Sequence, residues 1–397
     1  MVAPTSFFAD YGCHVRILEE ARVLRRLGHQ VTLVTYFNGR DVDGLDIRRT
    51  LPVPWRRAYE VGSSRHKLGL DALLVGTALR TALRFRPDVV HGHLHEGALI
   101  GGLVARLMGR PLVFDFQGSL TAEMVDHGFL RREGRAHGLV RRLEHHIDRL
   151  PQAIVTSSFN AARHLVEDFG LPRRRVLVLP DCVNAEAFRP GVLADADRAA
   201  TRRALGIAPD APVVVYLGLL ARHQGTDLLL QAARRVVDAR PDVRFLVMGF
   251  PGTEVYAAQA AALGLSAHVT FTGRVPYGDA PQNLALGDIA VAPKISTTEG
   301  SGKLLNYMAM GLPTVAFDLP VSREYLRDDA VCVAAGDAAA MADGILDLVA
   351  HPDRAAAMGS RLRARAVAEF DWVRGGELLL QAYDRAARAH ALRAVVA

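Results

Sequence analysis

The segment PKISTTEGSGKLLNYMAMGLP, Pro293 to Pro313, gathers glycines, an acid, two lysines and an amide in one short run. It follows an apolar β-branched stretch and enters a short helical pattern, so Gly300 and Gly302 predict a turn at a helix N-terminus. Free amides and the positive end of a helix dipole converge at such a turn and favour an anion, a diphosphate above all. Lys294 and Lys303 add fixed positive charge, while Glu299 and Asn306 offer groups that bond sugar and ribose hydroxyls. Gly300, Gly302, Lys303, Leu304 and Asn306 are therefore expected to line the anion site, with Lys294 beside them. Cations and amides held where a diphosphate departs would stabilise the charge that develops in the transition state.

A second concentration of chemistry lies at HGHLHE, residues 91 to 96. His91, His93 and His95 alternate, which on a strand would put them on one face and invite a metal. The strand is expected to run into a loop before that geometry completes, so no metal site is assigned. His93, at the strand end, is the candidate to face a reacting sugar or its acceptor, and His91 takes a packing or polar role. Asp115, in FDFQG, is the acid held in reserve as a nucleophile; its other reading is a structural residue bonding loop amides.

The elements that must position these residues read clearly. HQVTLVTY (29 to 36), PDVVHGH (87 to 93), RPLVFDFQG (110 to 118), QAIVTSS (152 to 158) and RVLVLPD (175 to 181) alternate with longer helical patterns. That is the pattern of a buried parallel sheet with crossover helices. MVAP leaves the first strand short. A polar stretch from Asn184 to Pro212 reads as an interdomain connection. A second series follows: APVVVYLG, VRFLVMGF, HVTFTGR, DIAVAPK, LPTVAFD and AVCVAAG, between residues 211 and 336. Two doubly wound sheets in tandem suit 397 residues. Ligands of such sheets bind beyond the carboxyl ends of the strands, which points to a cleft between the two domains.

Composition narrows the class. Half the residues are hydrophobic, 23% are charged, and Cys13, Cys182 and Cys332 lie far apart. No disulfide framework or zinc cluster is expected, and a reducing cytoplasm fits best. No apolar run is long enough to span a bilayer and no signal peptide is evident. The net charge of +6, carried mostly by arginine, suits anionic partners. Nucleic acid is not expected, since the arginines show no aromatic interleaving. Within the basic segment RREGRAHGLVRRLEHHIDR, residues 131 to 149, Leu139, Val140, Leu143 and Ile147 recur at helical spacing. Two readings stand: a surface helix with one buried apolar stripe, or a peripheral contact with an anionic membrane at its inner face.

The segment ending NYMAMGLP resembles the donor-site signature of the retaining glycosyltransferases of family 4, also called glycosyl transferases group 1, which have the GT-B fold. Asn306 aligns with the second Glu of that signature, Gly311 and Pro313 with its closing pair, and Glu299 stands one residue late for the first Glu. Lys303 belongs to a common variant, KLLxYMA. Other pieces match in order: Gly12 with the first glycine loop, PDVVHGH, LPDCVNAEAFRP, LGLLARHQGTDLLL with its Gly218, and GLSAHVTFTGRVP.

The resemblance implies two Rossmann-like doubly wound parallel-sheet domains facing across a cleft. Residues 1–190 would form the acceptor side, 191–371 the nucleotide-sugar side, and 372–397 a helix crossing back to the first domain. It implies retaining, metal-independent transfer of a hexosyl group from a nucleotide-diphosphate sugar to a glycan, lipid-linked or small-molecule acceptor. No cofactor is expected, since the nucleotide-sugar is a substrate. His93 and Glu299 would be catalytic. Gly218, Arg222, Gln224, Lys294 and Lys303 would join the donor set, and Gly12 and Gln117 the acceptor side. Three further positions depart from the family pattern. Leu219 and Gln224 stand where an Arg and a Lys grip the diphosphate, so Arg222, Lys294 or Lys303 must supply that charge. Gln117 stands where a functional His is usual, and a glutamine offers hydrogen bonding but no base. A non-catalytic nucleotide-sugar-binding or scaffold protein of the same fold would account for all three, and an epimerase or phosphorylase of that fold is a further alternative.

Overall fold

The computed structural model describes residues 1–10, 12–53, 67–126, 129–297 and 300–396. The strands are β1 (Val2–Ala3), β2 (Thr32–Thr35), β3 (Asp46–Arg49), β4 (Val90–His93), β5 (Leu112–Phe116), β6 (Ala153–Thr156), β7 (Val176–Val178), β8 (Val213–Leu219), β9 (Arg244–Phe250), β10 (Val269–Gly273), β11 (Ile289–Ala292), β12 (Thr314–Phe317) and β13 (Val331–Val333). They form two sheets, in the orders β3-β2-β1-β4-β5-β6-β7 and β10-β9-β8-β11-β12-β13. Each expected apolar run supplies one strand. The strand that the runs do not signal is β3, whose sequence DIRR alternates exposed and half-buried at an edge of the first sheet.

Two compact units result. The first comprises 1–181, 298–300 and 372–397, and the second 182–297 and 301–371. In the first unit every neighbouring pair of strands is parallel. Two apolar clusters, one around Val34, Leu74 and Val104 and the other around Phe114, Ile154 and Leu165, lie side by side on one face of the sheet. Leu33, Val113 and Val155 are buried on the opposite face, where the helix Trp372–Val396 packs on β5 and β6. This is why the runs carry apolar side chains at successive positions rather than alternating. Strand order reverses between β1 and β4, so the loop after β1 and the end of β4 meet at a switch point. Register then sets His93 opposite Asp115 on β5. The helix Gly12–Arg26 crosses beside this point with Arg16, Glu19 and Glu20 buried. The helix Trp372–Val396 packs on it, with Gly376 against Val23 and Leu27.

The second unit has one core, running from Val213 and Val291 to Ile345 and Leu362. Its switch point lies between β8 and β11. The stretch 184–212, expected as a connection, is instead part of this unit. Phe188 and Ile207 are in its core, and its helix Asp195–Ala204 carries Arg202, whose guanidinium donates to the carbonyls of Leu286, Pro209 and Ala211 and to Asp288. A buried arginine that satisfies several carbonyls is a fixed joint rather than a linker.

The basic segment also departs from its expected burial. The helix Arg135–Asp148 leaves Leu139 70% and Leu143 47% exposed, and the side chains it buries beside Ile147 are Glu144 and Asp148. Among the described residues no helix is long and apolar enough to cross a membrane.

Candidate active site

In the second unit the loops after β8 and β11 are built into each other. Gly225 has φ +74° and its Cα faces Pro293, where a Cβ would collide with the Pro293 carbonyl oxygen. The His223 carbonyl accepts the amides of Ile295 (3.1 Å) and Ser296 (3.2 Å). Only glycine meets both demands at 225, the left-handed backbone and the close approach. The joined loops bring Gly218, Arg222, Gln224 and Lys294 to one end of the sheet, and the helix Gly302–Ala309 begins there without a side-chain cap from Ser301. Its opening amides and dipole add positive potential to the lysine and arginine side chains.

Lys303 is the cation at the centre of this end. Its Nζ donates to Gln224 Oε1 at 2.9 Å and to the Tyr216 hydroxyl at 3.1 Å, and stands 4.5 Å from the Tyr216 ring centre. The space a side chain at Gly218 would fill is held by that ammonium, 2.7 Å from the ideal Cβ position. A positive charge therefore stands directly beside Gln224, one of the positions where the expected clamp residues are replaced. Tyr216 is buried, which raises its phenol well above the ordinary range, and its hydroxyl donates to the Leu219 carbonyl at 2.7 Å. Lys294 is buried, Arg222 exposed and Asn306 half-buried. Leu304 is a core residue, and its amide donates to the Ser301 carbonyl. Gly300 belongs with the first unit, where its backbone approaches Asp181 and Ser157. Glu299 lies outside the described residues.

In the first unit the expected residues meet around Asp115. His93 Nδ1 lies 3.1 Å from Asp115 Oδ2, Gln117 Nε2 donates to the same oxygen at 2.6 Å, and the Arg16 guanidinium donates to Oδ1 at 2.9 Å. Arg16 also reaches Glu20 (3.1 Å), Asp181 (3.1 Å) and the Leu179 carbonyl (3.1 Å). Burial opposes the Asp115 charge, but the Arg16 guanidinium and the His93 bond override it and hold the carboxyl well below its usual range. Burial, then Asp115, push Glu20 well above its usual range against the pull of Arg16. Burial lowers His93 despite Asp115, so the ring is neutral near pH 7. A charged Asp115 fixes the tautomer: Nδ1 carries the proton and Nε2 keeps its lone pair. That Nε2 is buried and has no hydrogen-bond partner among the described residues, so it can accept a bond from a hydroxyl. Asp115 itself is engaged at both oxygens and serves as the joint that orients His93 and Gln117.

Gly12 opens its helix at the surface with open space around its Cα. The three alternating histidines separate: His91 and His93 stack with ring centres 4.3 Å apart, and His91 bonds the Tyr383 hydroxyl at 2.9 Å. His95 falls in the first turn of the next helix, Leu94–Met108, and turns to Glu144 and Asp148. Arg16, Glu20, Asp181 and Tyr383 are participants that motif reading missed. The signal for the first two was an i,i+4 charge pair inside the apolar periodicity of VRILEEARVL.

Comparison with known proteins matches this division. The glycosyl transferase 4-like domain matches residues 11–182, and the glycosyl transferases group 1 domain matches residues 197–365. The chain is 27% identical to a D-inositol 3-phosphate glycosyltransferase of Thermobispora bispora, over 94% of this chain and 90% of that protein. It is 26% identical to a phosphatidyl-myo-inositol mannosyltransferase of Mycobacterium leprae, over 98% and 96%. Among solved structures, a sucrose-phosphate synthase of Thermosynechococcus elongatus shares the fold with a TM-score of 0.80 at 18% identity, covering 97% of this chain and 98% of that one. Anabaena HepE in complex with UDP-glucose gives 0.76 at 17% identity, covering 96% and 97%. Two family domains in sequence over two parallel sheets, with likeness along nearly the whole length, identify the chain as a GT-B glycosyltransferase of family 4, the glycosyl transferases group 1.

Proposed function

We propose that the protein transfers a hexosyl group, with retention of anomeric configuration, from a nucleoside-diphosphate sugar to a hydroxyl of a small polyol phosphate or its lipid-linked form. The observation that carries the donor half is the Lys303 ammonium, fixed by Gln224 and Tyr216 beside Gly218 at the start of a helix that the Ser301 side chain does not cap. Arg222, Lys294 and Lys303 meet the diphosphate charge, so no metal is required at the donor. The bond from the anomeric carbon to the phosphate oxygen breaks as the acceptor oxygen bonds that carbon on the same face, and the acceptor proton passes to the departing phosphate. This front-face course is supported by Asp115, whose oxygens are already bound and which is therefore unsuited to act as a nucleophile. His93 Nε2 accepts a hydrogen bond from a substrate hydroxyl. The names of the relatives support inositol phosphates and phosphatidylinositol as the first acceptors to try. The exposed Leu139 and Leu143 among arginines support a peripheral contact with an anionic membrane, the surface on which a lipid-linked acceptor would be met.

The test is calorimetric titration with nucleoside diphosphates and their sugars. Lys303→Ala should weaken nucleoside diphosphate binding at least about tenfold, equivalent to about 1.4 kcal/mol, and Lys303→Arg should recover part of it. Equal affinity in the parent and Lys303→Ala would remove Lys303 from the donor site. Proton NMR of the product decides the stereochemistry, and an inverted anomer would rule out the front-face course.

A further inference from the structure

The pairing of His95 with Glu144 and Asp148 is unexplained by the transfer reaction. Three atoms converge: His95 Nε2 lies 3.6 Å from Glu144 Oε1 and 3.4 Å from Asp148 Oδ1. All three, with Asp148 Oδ2, are buried and without a hydrogen-bond partner among the described residues. These separations exceed the 2.7–2.9 Å of a charge-assisted hydrogen bond. They match the roughly 3.4 Å edge of a tetrahedron whose nitrogen and oxygen ligands stand about 2.1 Å from a central ion.

Charge points the same way. Two buried carboxylates beside one imidazolium leave a net negative charge, and an uncompensated buried charge costs several kcal/mol. A divalent cation with a neutral His95 balances the pair. The surroundings are those of a held ligand set. The Thr121 amide (3.1 Å) and hydroxyl both donate to Glu144 Oε2, leaving Oε1 aimed at His95. The His95 ring lies edge-on between Phe114 and Phe116, with centres 5.2 and 5.4 Å away, which keeps the site apolar. A second cluster, Glu20, His91 and His93, has comparable spacing but is spanned by the Arg16 guanidinium 3.1 Å from Glu20, whose charge repels a cation.

We propose that His95, Glu144 and Asp148 bind one zinc ion, with the second Asp148 oxygen or a water completing the coordination. The ion joins the helix Leu94–Met108 to the helix Arg135–Asp148. Its role is structural, and it is distinct from the donor chemistry of the second unit.

The full-length protein, made without a polyhistidine tag, is stripped with chelator and titrated with zinc alone, then with manganese and magnesium. Metal content is read by elemental analysis and thermal unfolding is followed in parallel. The expected result is one zinc per chain, a melting temperature raised by several degrees, and a tetrahedral visible absorption spectrum after cobalt substitution. Asp148→Asn and Glu144→Gln should each weaken zinc binding by at least about tenfold, while His93→Asn should leave it unchanged. The cobalt spectrum tests the site in the unaltered protein, so poor folding of a variant does not spoil the experiment. Absence of zinc binding by the parent overturns the proposal and leaves a buried ion pair with a protonated His95. Zinc binding that survives Asp148→Asn and Glu144→Gln, or is lost in His93→Asn, overturns it equally.

Discussion

His93 and Asp115 face each other across β4 and β5, and their protonation sets how the first unit responds to acid. The folded His93 and His91 both titrate below their ordinary range because they are buried. Below about pH 6.5 the unfolded chain therefore takes up protons that the folded chain refuses, and stability falls as pH drops through that value. Asp115 has the usual carboxylate sign, giving stability above about pH 4 that is lost as pH falls further. His93→Asn keeps an N–H for Asp115 but does not titrate. Calorimetric scans of this variant between pH 6.5 and 5.5 should show a shallower fall in melting temperature, by about 3 °C per pH unit for the one proton removed. An unchanged slope would mean that His93 is protonated in the fold. His93 and Asp115 were legible because they stand near the carboxyl ends of β-branched runs, where a doubly wound sheet presents its ligands, whereas Gln117 was legible only through the family resemblance. Arg16 was not, because a charged residue on a helix is ordinarily on its solvated face, and nothing local shows that Asp115, 99 positions later, lies beside it.

At the scale of elements, the two loops of the second unit are joined by the absence of one side chain. Gly225→Ala would need both a left-handed alanine and movement of the Pro293 carbonyl. It should destabilise the second unit by about 2–4 kcal/mol in urea unfolding and weaken nucleoside diphosphate binding with it. A variant as stable as the parent would show that the loops part easily. The glycine turn and the helix after it were readable from spacing alone. Which cation would fill the place of the missing clamp was not, since Lys303 and Gln224 meet only when β8 and β11 lie side by side. The helix Arg135–Asp148 shows the opposite failure. Its apolar spacing pointed to a stripe of Leu139, Val140, Leu143 and Ile147 facing inward, yet the buried side holds Glu144, Ile147 and Asp148. Periodicity assumes that carboxylates stay in water, an assumption that fails when a histidine on another helix meets them.

At the scale of the whole molecule, the two tandem sheets follow directly from the two series of apolar runs. The discontinuity of the first unit, which takes back 372–397 after the second is complete, lies in contacts that no local pattern encodes. That returning helix buries Trp372, Leu379, Ala382 and Ala386. A chain ending at Asp371 should therefore lose the thermal transition of the first unit, or have it lowered by 10 °C or more, on the order expected when several large apolar side chains are uncovered. The second unit should melt as before, and loss of both transitions together would show that the units unfold as one. The same feature has a consequence during synthesis. The second unit has all its residues once position 371 has emerged, whereas the first, begun earlier, still lacks its covering helix. At about 5–20 residues per second, the sheet of the first unit waits roughly 10 to 40 s between the emergence of β7 and that of its last helix, with an apolar side uncovered. In the cell the half of the protein made first is the half finished last, and it is the half for which a chaperone would matter.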